Sequence, residues 1–305
     1  MKHHIRIAVL AVLTAFCFIT AAHAADSFFE LNGFAFSISD EGKATIRSYS
    51  GSDTDVVIPN TLLRAPVESI GDYAFYENEA VSSVSFERAA SLKSIGTCAF
   101  YGCTSLSEVS LPADVELAFG AFQKCTALTS LTIAEGISDI PAQCFFGCSA
   151  LSELSLPSSV TAIGDRAFSG CVGLHRIDIP DSVTEIADNA FDSCNNLVIY
   201  AAKDSFAVTY AADHAIPCVL TDVDPADYYV LGDADDDHFV TVLDATAIQR
   251  KLAELPVKSF NEMAADIDGN GLDILDATKI QRHLAAIDNT YPIGTIVFCS
   301  IESGD

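Results

Sequence analysis

A repeating unit with hydrophobic side chains at fixed positions fills the middle of the chain. Its marker is a small residue followed by Phe, and the successive spacings are 25, 22, 23, 23 and 23 residues. The alternation Leu154-x-Leu156 predicts a short strand with one buried face, which Pro157 ends, and Val160-x-x-Ile163 predicts a second extended segment. One unit cannot bury its own apolar face, so the pattern predicts a solenoid of stacked units. The marker phenylalanines are Phe75, Phe100, Phe122, Phe145, Phe168 and Phe191.

Cysteine recurs three residues after five of these phenylalanines. We interpret the row as small buried side chains in the core, because a free Cys behaves as a small hydrophobe. A string of metal sites and a ladder of disulfides are the alternatives, although metal ligands must converge on a point rather than follow a line. The recurring cysteines are Cys103, Cys125, Cys148, Cys171 and Cys194.

Over roughly residues 26–219 this pattern resembles the BspA-type leucine-rich repeats of bacterial surface proteins. The segments Gly33-Phe34-x-Phe36 and Ala44-Thr45-Ile46 resemble the strands that cap such arrays, and residues 207–211 resemble the closing segment. The third repeat has Val115-Glu116-Leu117-Ala118 where others read Val-Thr-x-Ile-Gly, so we expect a local distortion there. The resemblance implies adhesion or a broad surface for proteins or polysaccharides, and fold alone does not identify the ligand.

Two Asp-rich segments follow, each leading into an amphipathic run. The first spans twelve residues, and its oxygen-bearing side chains fall at positions 1, 3, 5, 9 and 12, which is the spacing of an EF-hand calcium loop. It departs from that pattern with His238 in place of Gly and with Asp at the closing position. The alternative is a solvated Asp cluster at a helix start, where Asp is favourable. The predicted ligands are Asp233, Asp235, Asp237, the Phe239 carbonyl, Thr241 and Asp244.

The second Asp-rich segment is one residue shorter. A strict count of twelve places Ala277 at the closing position, where it cannot bind a metal. If the loop tightens around Gly269 and Gly271, its oxygen-bearing side chains can still surround an ion. We therefore expect Ca²⁺ in the first loop and a weaker, second Ca²⁺ in this one. The predicted ligands are Asp266, Asp268, Asn270, Asp273 and Asp276.

The blocks Leu243-Asp244-Ala245-Thr246 and Leu275-Asp276-Ala277-Thr278 are duplicates, each followed by x-Ile-Gln-Arg. Two such loop-and-helix units resemble a type I dockerin domain over roughly residues 227–288, similar to those of ruminococcal cellulosome-type proteins. The resemblance implies docking onto a cohesin module of a scaffoldin, with a pseudo-two-fold pair of faces. Core packing between the two helices is the alternative for the apolar contacts. The implied cohesin-binding residues are Val242, Leu243, Gln249, Arg250, Ile274, Leu275, Gln281 and Arg282.

Charge and the N-terminus limit the partners and the location. The chain has 305 residues and a formal net charge of -26, which disfavours nucleic acid and anionic membranes as partners. Lys2 and Arg6, an apolar run over 7–19 and Ala22-His23-Ala24 predict an export signal cleaved before Ala25. A membrane anchor is the alternative, but a spanning helix needs roughly 20 apolar residues. We expect a secreted protein without membrane insertion.

The expected fold is a mixed α/β-solenoid of short strands followed by a small α-helical domain with paired EF-hand-like loops. The predicted non-catalytic binding subunit has two alternatives, a polysaccharide-degrading enzyme with an unrecognised site and a structural spacer. The chain shows no GxSxG or HExxH motif and no Trp, and its repeat acids, such as Glu108 and Glu153, point outward. The predicted organisation is a signal at 1–24, a β cap at 25–66, repeats at 67–220, a linker at 221–226, a dockerin at 227–288 and a tail at 289–305.

Overall fold

The computed structural model describes residues 28–222, 228–230, 234, 240, 242–257, 260, 265, 267, 272, 274–284 and 296–298. The predicted signal segment, most of the linker and most of the tail lie outside these residues. The domain boundaries therefore stay predictions.

An antiparallel hairpin caps the start of the repeats. Strands β1 (Phe28–Leu31), β2 (Phe34–Ile38) and β3 (Ala44–Tyr49) pair in that order. Phe36, Ala44 and Ile46 are buried, since their side chains alternate onto the inner face. β3 then pairs in parallel with the first repeat strand on its side of the solenoid, so the cap covers the open end of the array.

Each repeat contributes one short strand to each of two sides of the solenoid. On the first side the strands pair in parallel with their neighbours and show the predicted alternation, with Leu154 buried between exposed Glu153 and Ser155. These strands are β4 (Asp55–Val57), β7 (Ser83–Ser85), β9 (Glu108–Leu111), β11 (Ser130–Ile133), β13 (Glu153–Ser155), β15 (Arg176–Asp178), β17 (Val198–Ala201) and β18 (Cys218–Leu220).

Most strands of the second side have only two residues, and four of these strands each bury one apolar residue, such as Ile163. A small strand, β5 (Thr61–Leu62), pairs antiparallel with the first of them. The strands of this side are β6 (Ala65–Ile70), β8 (Ser94–Ile95), β10 (Glu116–Leu117), β12 (Asp139–Ile140), β14 (Ala162–Ile163) and β16 (Glu185–Ile186).

The second-side sheet is interrupted after the third repeat, and the first-side sheet is interrupted one repeat later. Strand β10 pairs with β8 but not with β12, and β11 pairs with β9 but not with β13. Leu117 is only partly buried, whereas its counterparts Ile95, Ile140 and Ile163 are fully buried. The expected distortion is confirmed, and it falls where the sequence departs from the repeat pattern and where the spacing shortens to 22 residues.

A third side of each repeat is formed by the small-Phe turn. The Phe145 amide donates to the Ala167 carbonyl at 2.9 Å, and the Phe168 amide donates to the Ala190 carbonyl at 2.9 Å. Inside, the marker phenylalanines form one continuous column of stacked rings, with successive centroids 4.7, 5.0, 5.6, 5.5 and 5.5 Å apart. The column links each repeat to its neighbours through the core. A single repeat could not bury its Phe ring without those neighbours.

The repeat cysteines lie beside this column as buried free thiols. Each thiol donates to the carbonyl of the Phe in the preceding repeat: Cys103 to Phe75 at 3.1 Å and Cys148 to Phe122 at 3.3 Å are examples. The other three form the same bond at 3.2 Å. These bonds support the interpretation that the cysteines pack the core, and they add a weak link between neighbouring repeats.

Burial raises the pKa of the Cys103 thiol to about 12 and that of Cys194 to about 11, from an ordinary value of 9.0. Between about pH 9 and 12 the folded thiols keep protons that the unfolded chain releases. The contribution of the protonated thiols to the free energy of unfolding is therefore fully present below about pH 9 and falls as the pH rises. We expect the urea midpoint of the full chain to fall over this range. Cys103→Ala should reduce the fall relative to wild type, whereas an identical pH dependence in both proteins would contradict this account.

One helix and one strand close the array. Helix α1 (Phe206–Asp213) follows β17, and β18 pairs in parallel with β17. The Tyr210 ring meets Phe191 at 6.0 Å, and its hydroxyl donates to the Ala187 carbonyl at 3.3 Å. The predicted closing segment at 207–211 is therefore a helix that continues the aromatic column. The solenoid of short leucine-rich repeat strands is confirmed as the fold class.

Among its described residues, the C-terminal part has two helices of equal length, α2 (Val242–Leu252) and α3 (Ile274–Leu284). They pack through small and aliphatic side chains, because Ala and Ile leave room for close approach of the two backbones. A two-stranded antiparallel ribbon pairs β19 (Tyr228–Val230) with β20 (Ile296–Phe298), so the tail does contain a strand. The buried core of this part consists of Ala234, Ala245, Ala247, Ile248, Ala265, Ile267, Ala277 and Ile280.

Candidate calcium loops and docking face

The closing aspartates of the two loops lie in the first turns of α2 and α3. Asp244 and Asp276 are both fully buried. The Ala234 amide donates to Asp244 Oδ1 at 2.8 Å, and the Ile267 amide donates to Asp276 Oδ1 at 3.1 Å. In each loop the donor follows the first predicted ligand, so one backbone hydrogen bond joins the start of the loop to its end.

This pair of bonds identifies the residue that closes the shorter loop. The sequence separation between donor and acceptor is 10 in the first loop and 9 in the second, which matches the missing residue. Asp276 occupies the place that Asp244 has in the first loop. Ala277, which a strict count of twelve would put at the end of the loop, packs instead in the module core.

The remaining predicted ligands lie outside the described residues: Asp233, Asp235, Asp237, Phe239, Thr241, Asp266, Asp268, Asn270 and Asp273. Among the residues that the structure does describe, no three His, Cys, Asp or Glu side chains converge as metal ligands. The full ligand sets stay predictions.

The two described aspartates fit a calcium site by their chemistry. Ca²⁺ takes carboxylate oxygens as ligands, and a hydrogen bond to a ligating carboxylate fixes its orientation. Burial of Asp244 and Asp276 at the helix starts, with Oδ1 of each held by a backbone amide, provides such an oriented ligand in both loops.

Lys279, near the second loop, has a neutral residue at its equivalent position in α2. Lys279 Nζ lies 3.0 Å from Asp276 Oδ1, one helical turn further along α3. The equivalent residue of α2 is Ala247, which is buried in the core. Sequence reasoning missed this contact, although an acid and a base three residues apart on a predicted helix are a recognisable signal.

The predicted cohesin-contact residues fall on the outer surface of the helices wherever their side chains are described. Leu243 is 58% exposed and Leu275 is 56% exposed, so neither belongs to the core between the helices. Gln249 and Gln281 are also exposed. The alternative of core packing is therefore wrong for the two leucines. The side chains of Val242, Ile274 and Arg282 lie outside the described part.

Arg250 is exposed, but its guanidinium is already engaged within the chain. Nε and Nη2 donate to the Pro256 carbonyl at 3.0 and 2.7 Å. This pair of bonds closes the end of α2 against the segment that follows it. A partner that uses Arg250 must therefore accept this orientation or displace the two bonds.

The repeats expose a cluster of aromatic rings at one edge. Tyr76 stacks on Tyr101 at 4.9 Å and meets Tyr73 edge-on at 5.6 Å, and Lys124 Nζ contacts the Tyr101 hydroxyl at 2.9 Å. Sequence reasoning missed this cluster, although the recurring Phe-Tyr pair at 75–76 and 100–101 is a recognisable signal. Exposed aromatic residues are enriched in binding surfaces.

The two histidines of the repeats have structural partners. His175 Nε2 lies 3.3 Å from the exposed Glu153 carboxylate on the sheet surface. His214 stacks on Tyr210 at 4.0 Å, and its Nδ1 donates to the Tyr210 carbonyl at 2.9 Å. His175 is therefore a solvated side chain of the sheet surface, and His214 packs on Tyr210. In the described residues, no helix is long and apolar enough to cross a membrane.

Comparison with known families and structures follows this division of the chain. Residues 56–198 match six copies of the BspA type leucine rich repeat region, and residues 231–285 match the dockerin type I domain. No curated protein matches the chain.

Two solved structures illustrate the similarity. A leucine rich cell surface protein from Faecalibacterium prausnitzii is 27% identical, with a TM-score of 0.48, over 61% of this chain and 56% of that one. The chain thus spans little more than half of that relative. A leucine rich repeat protein from T. pallidum is 24% identical, with a TM-score of 0.51, over 76% of this chain and 97% of that one, and it shares the fold.

The repeated strands, the phenylalanine column and the duplicated loop-and-helix units agree with both family matches. The chain carries BspA-type leucine-rich repeats followed by a C-terminal type I dockerin domain.

Proposed function

We propose that the chain is a secreted, non-catalytic subunit that docks onto a scaffoldin cohesin while its repeats present a binding surface. A type I dockerin implies cohesin docking in a cellulosome-like complex, and leucine-rich repeats imply a binding surface. Proteins with these domains are typically extracellular. The observation that carries the proposal is the matching exposure of Leu243 and Leu275 beside the two buried closing aspartates.

The two leucines support a docking face on each helix. Each precedes its closing Asp by one residue, so calcium held by that Asp would fix the first turn that presents the Leu. Type I dockerins bind calcium in general. In this chain Asp244 and Asp276 would hold the ends of the two loops, and the ion would supply the charge that ties the loop carboxylates to the helix. Each helix has an exposed Leu near its start and an exposed Gln further along. This combination suits an apolar contact with a polar rim.

The net negative charge of the chain and the exposed tyrosine cluster of the repeats determine which ligands the repeats can bind. Charge disfavours nucleic acid and anionic lipid, and the tyrosines offer apolar faces with hydroxyl groups. Both a protein and a polysaccharide can use such a surface. We assign binding, rather than catalysis, to the repeats because leucine-rich repeats and dockerins are non-catalytic modules.

We expect the double variant Leu243→Ala/Leu275→Ala to lose much more cohesin affinity than either single variant. The paired helices offer two faces, so each single variant should keep cohesin binding through the other face. The double variant should lose at least about 100-fold in affinity, since neither face then keeps the leucine that the cohesin would bury. The measurement is a calorimetric titration of the full chain, in calcium, with the type I cohesin that binds best in a panel screen.

Leu252→Ala and Leu255→Ala are the matched controls, because both leucines are exposed in the same domain but lie outside the predicted contacts. They should leave the affinity unchanged. A double Leu243/Leu275 variant that binds the cohesin like wild type would overturn the assigned face.

A further inference from the structure

The closing carboxylates of the two dockerin loops differ in the residue that lies three positions further along each helix. Lys279 Nζ lies 3.0 Å from Asp276 Oδ1, and the lysine side chain is only 12% exposed. Asp244 has Ala247 at the equivalent place, and that residue carries no charge. The rest of the two helical blocks is nearly identical, so this position is a specific difference between the two halves.

The geometry places the ammonium against a predicted calcium ligand. A calcium ion on the Asp276 carboxylate lies about 2.4 Å from the ligating oxygen, so a lysine 3.0 Å from that carboxylate is close to the ion as well. Two positive charges at this separation repel each other, and partial burial limits screening by solvent. The ammonium and the ion therefore compete for the same carboxylate.

We propose that Lys279 is an internal competitor of calcium at the second loop and lowers the calcium affinity of that loop. This inference rests on the calcium sites of the proposed function. The lysine offsets part of the Asp276 charge before the ion arrives, and it must move or tolerate repulsion once the ion binds.

The contact also has a simpler role as an acid–base pair three residues apart on a helix. Such a pair stabilises the helix slightly. The two roles predict opposite results when the charge is removed. Loss of a helix-stabilising pair lowers calcium affinity or leaves it unchanged, whereas loss of a competitor raises the affinity of the second loop.

The test is a calcium titration of the full chain by isothermal calorimetry. Lys279→Ala, which restores the residue of the first helix, should tighten the weaker site about tenfold, or about 1.4 kcal/mol, and leave the tighter site unchanged. Lys279→Gln, which keeps a long side chain without the charge, should act in the same direction. Lys279→Arg keeps the charge and should stay near wild type.

Lys251→Ala is the matched control, since Lys251 is an exposed lysine of the other helix, and it should change neither site. Far-UV circular dichroism with calcium establishes that each variant is folded. A second ion that appears only in Lys279→Ala and Lys279→Gln also supports the proposal. Unchanged or weaker calcium binding in both neutral variants overturns it. Intact calcium loading without cohesin binding contradicts the docking function alone.

Discussion

Asp244→Asn should lower the calcium affinity of the first loop by at least about 100-fold and abolish cohesin docking through α2. The closing carboxylate is fully buried and accepts a hydrogen bond from the Ala234 amide. The Asn side chain keeps an oxygen for that bond but removes the charge that a calcium ligand supplies. Loss of a residue that only orients a ligand already costs about 10–100-fold in metal affinity, so loss of a ligand charge should cost more.

Thermal unfolding of the full chain, followed with and without calcium, measures this effect. At 100 times its dissociation constant a bound ion stabilises the folded state by about 2.7 kcal/mol, and Asp244→Asn should lose that gain at the wild-type calcium concentration. Asp276→Asn is the matched control from the duplicate unit. It should have the smaller effect, because the second loop is shorter and Lys279 already offsets part of its charge. A larger loss from Asp276→Asn than from Asp244→Asn would contradict the ranking of the two sites.

Phe145→Ala should destabilise the repeats by about 3–5 kcal/mol. Phe145 is fully buried in the middle of the ring column, and its centroid lies 5.6 Å from Phe122 and 5.5 Å from Phe168. The substitution removes both ring contacts and leaves a cavity. Because repeats contact only their neighbours, the loss should also weaken the coupling between the two halves of the array.

Urea unfolding of the full chain in saturating calcium, followed by far-UV circular dichroism, measures the loss. Phe119→Ala is the matched control, since Phe119 is 44% exposed and lies just before the third ring of the column. It should cost about 1 kcal/mol or less, as expected for a surface position. Equal losses from the two substitutions would show that the ring column does not hold the repeats together.

The repeat fold was predictable because its signals are local and recur. Alternation within Leu154-x-Leu156, the small-Phe marker and the recurring Cys each follow from a single repeated register. A departure from that register was informative for the same reason. Val115–Ala118 breaks the pattern, and the second-side sheet is interrupted directly after it.

Other features depend on contacts that a local pattern does not encode. The helix at Phe206–Asp213 forms where Tyr210 can end the aromatic column, and the pairing of Tyr228–Val230 with Ile296–Phe298 joins distant segments. A prediction of the contact between Lys279 and Asp276 requires both the helical register and the identity of the residue that closes the loop. That identity was ambiguous in the sequence between Asp276 and Ala277, and the Ile267 amide bond distinguishes them.

The central claim is that residues 231–285 form a domain whose binding to cohesin depends on calcium. The most direct measurement is the affinity of the wild-type full chain for its best cohesin from a panel of type I modules, first in millimolar calcium and then after chelation with EDTA. The account predicts tight binding in calcium, loss of binding in EDTA and recovery when calcium is restored. Cohesin binding that persists unchanged in EDTA would contradict it.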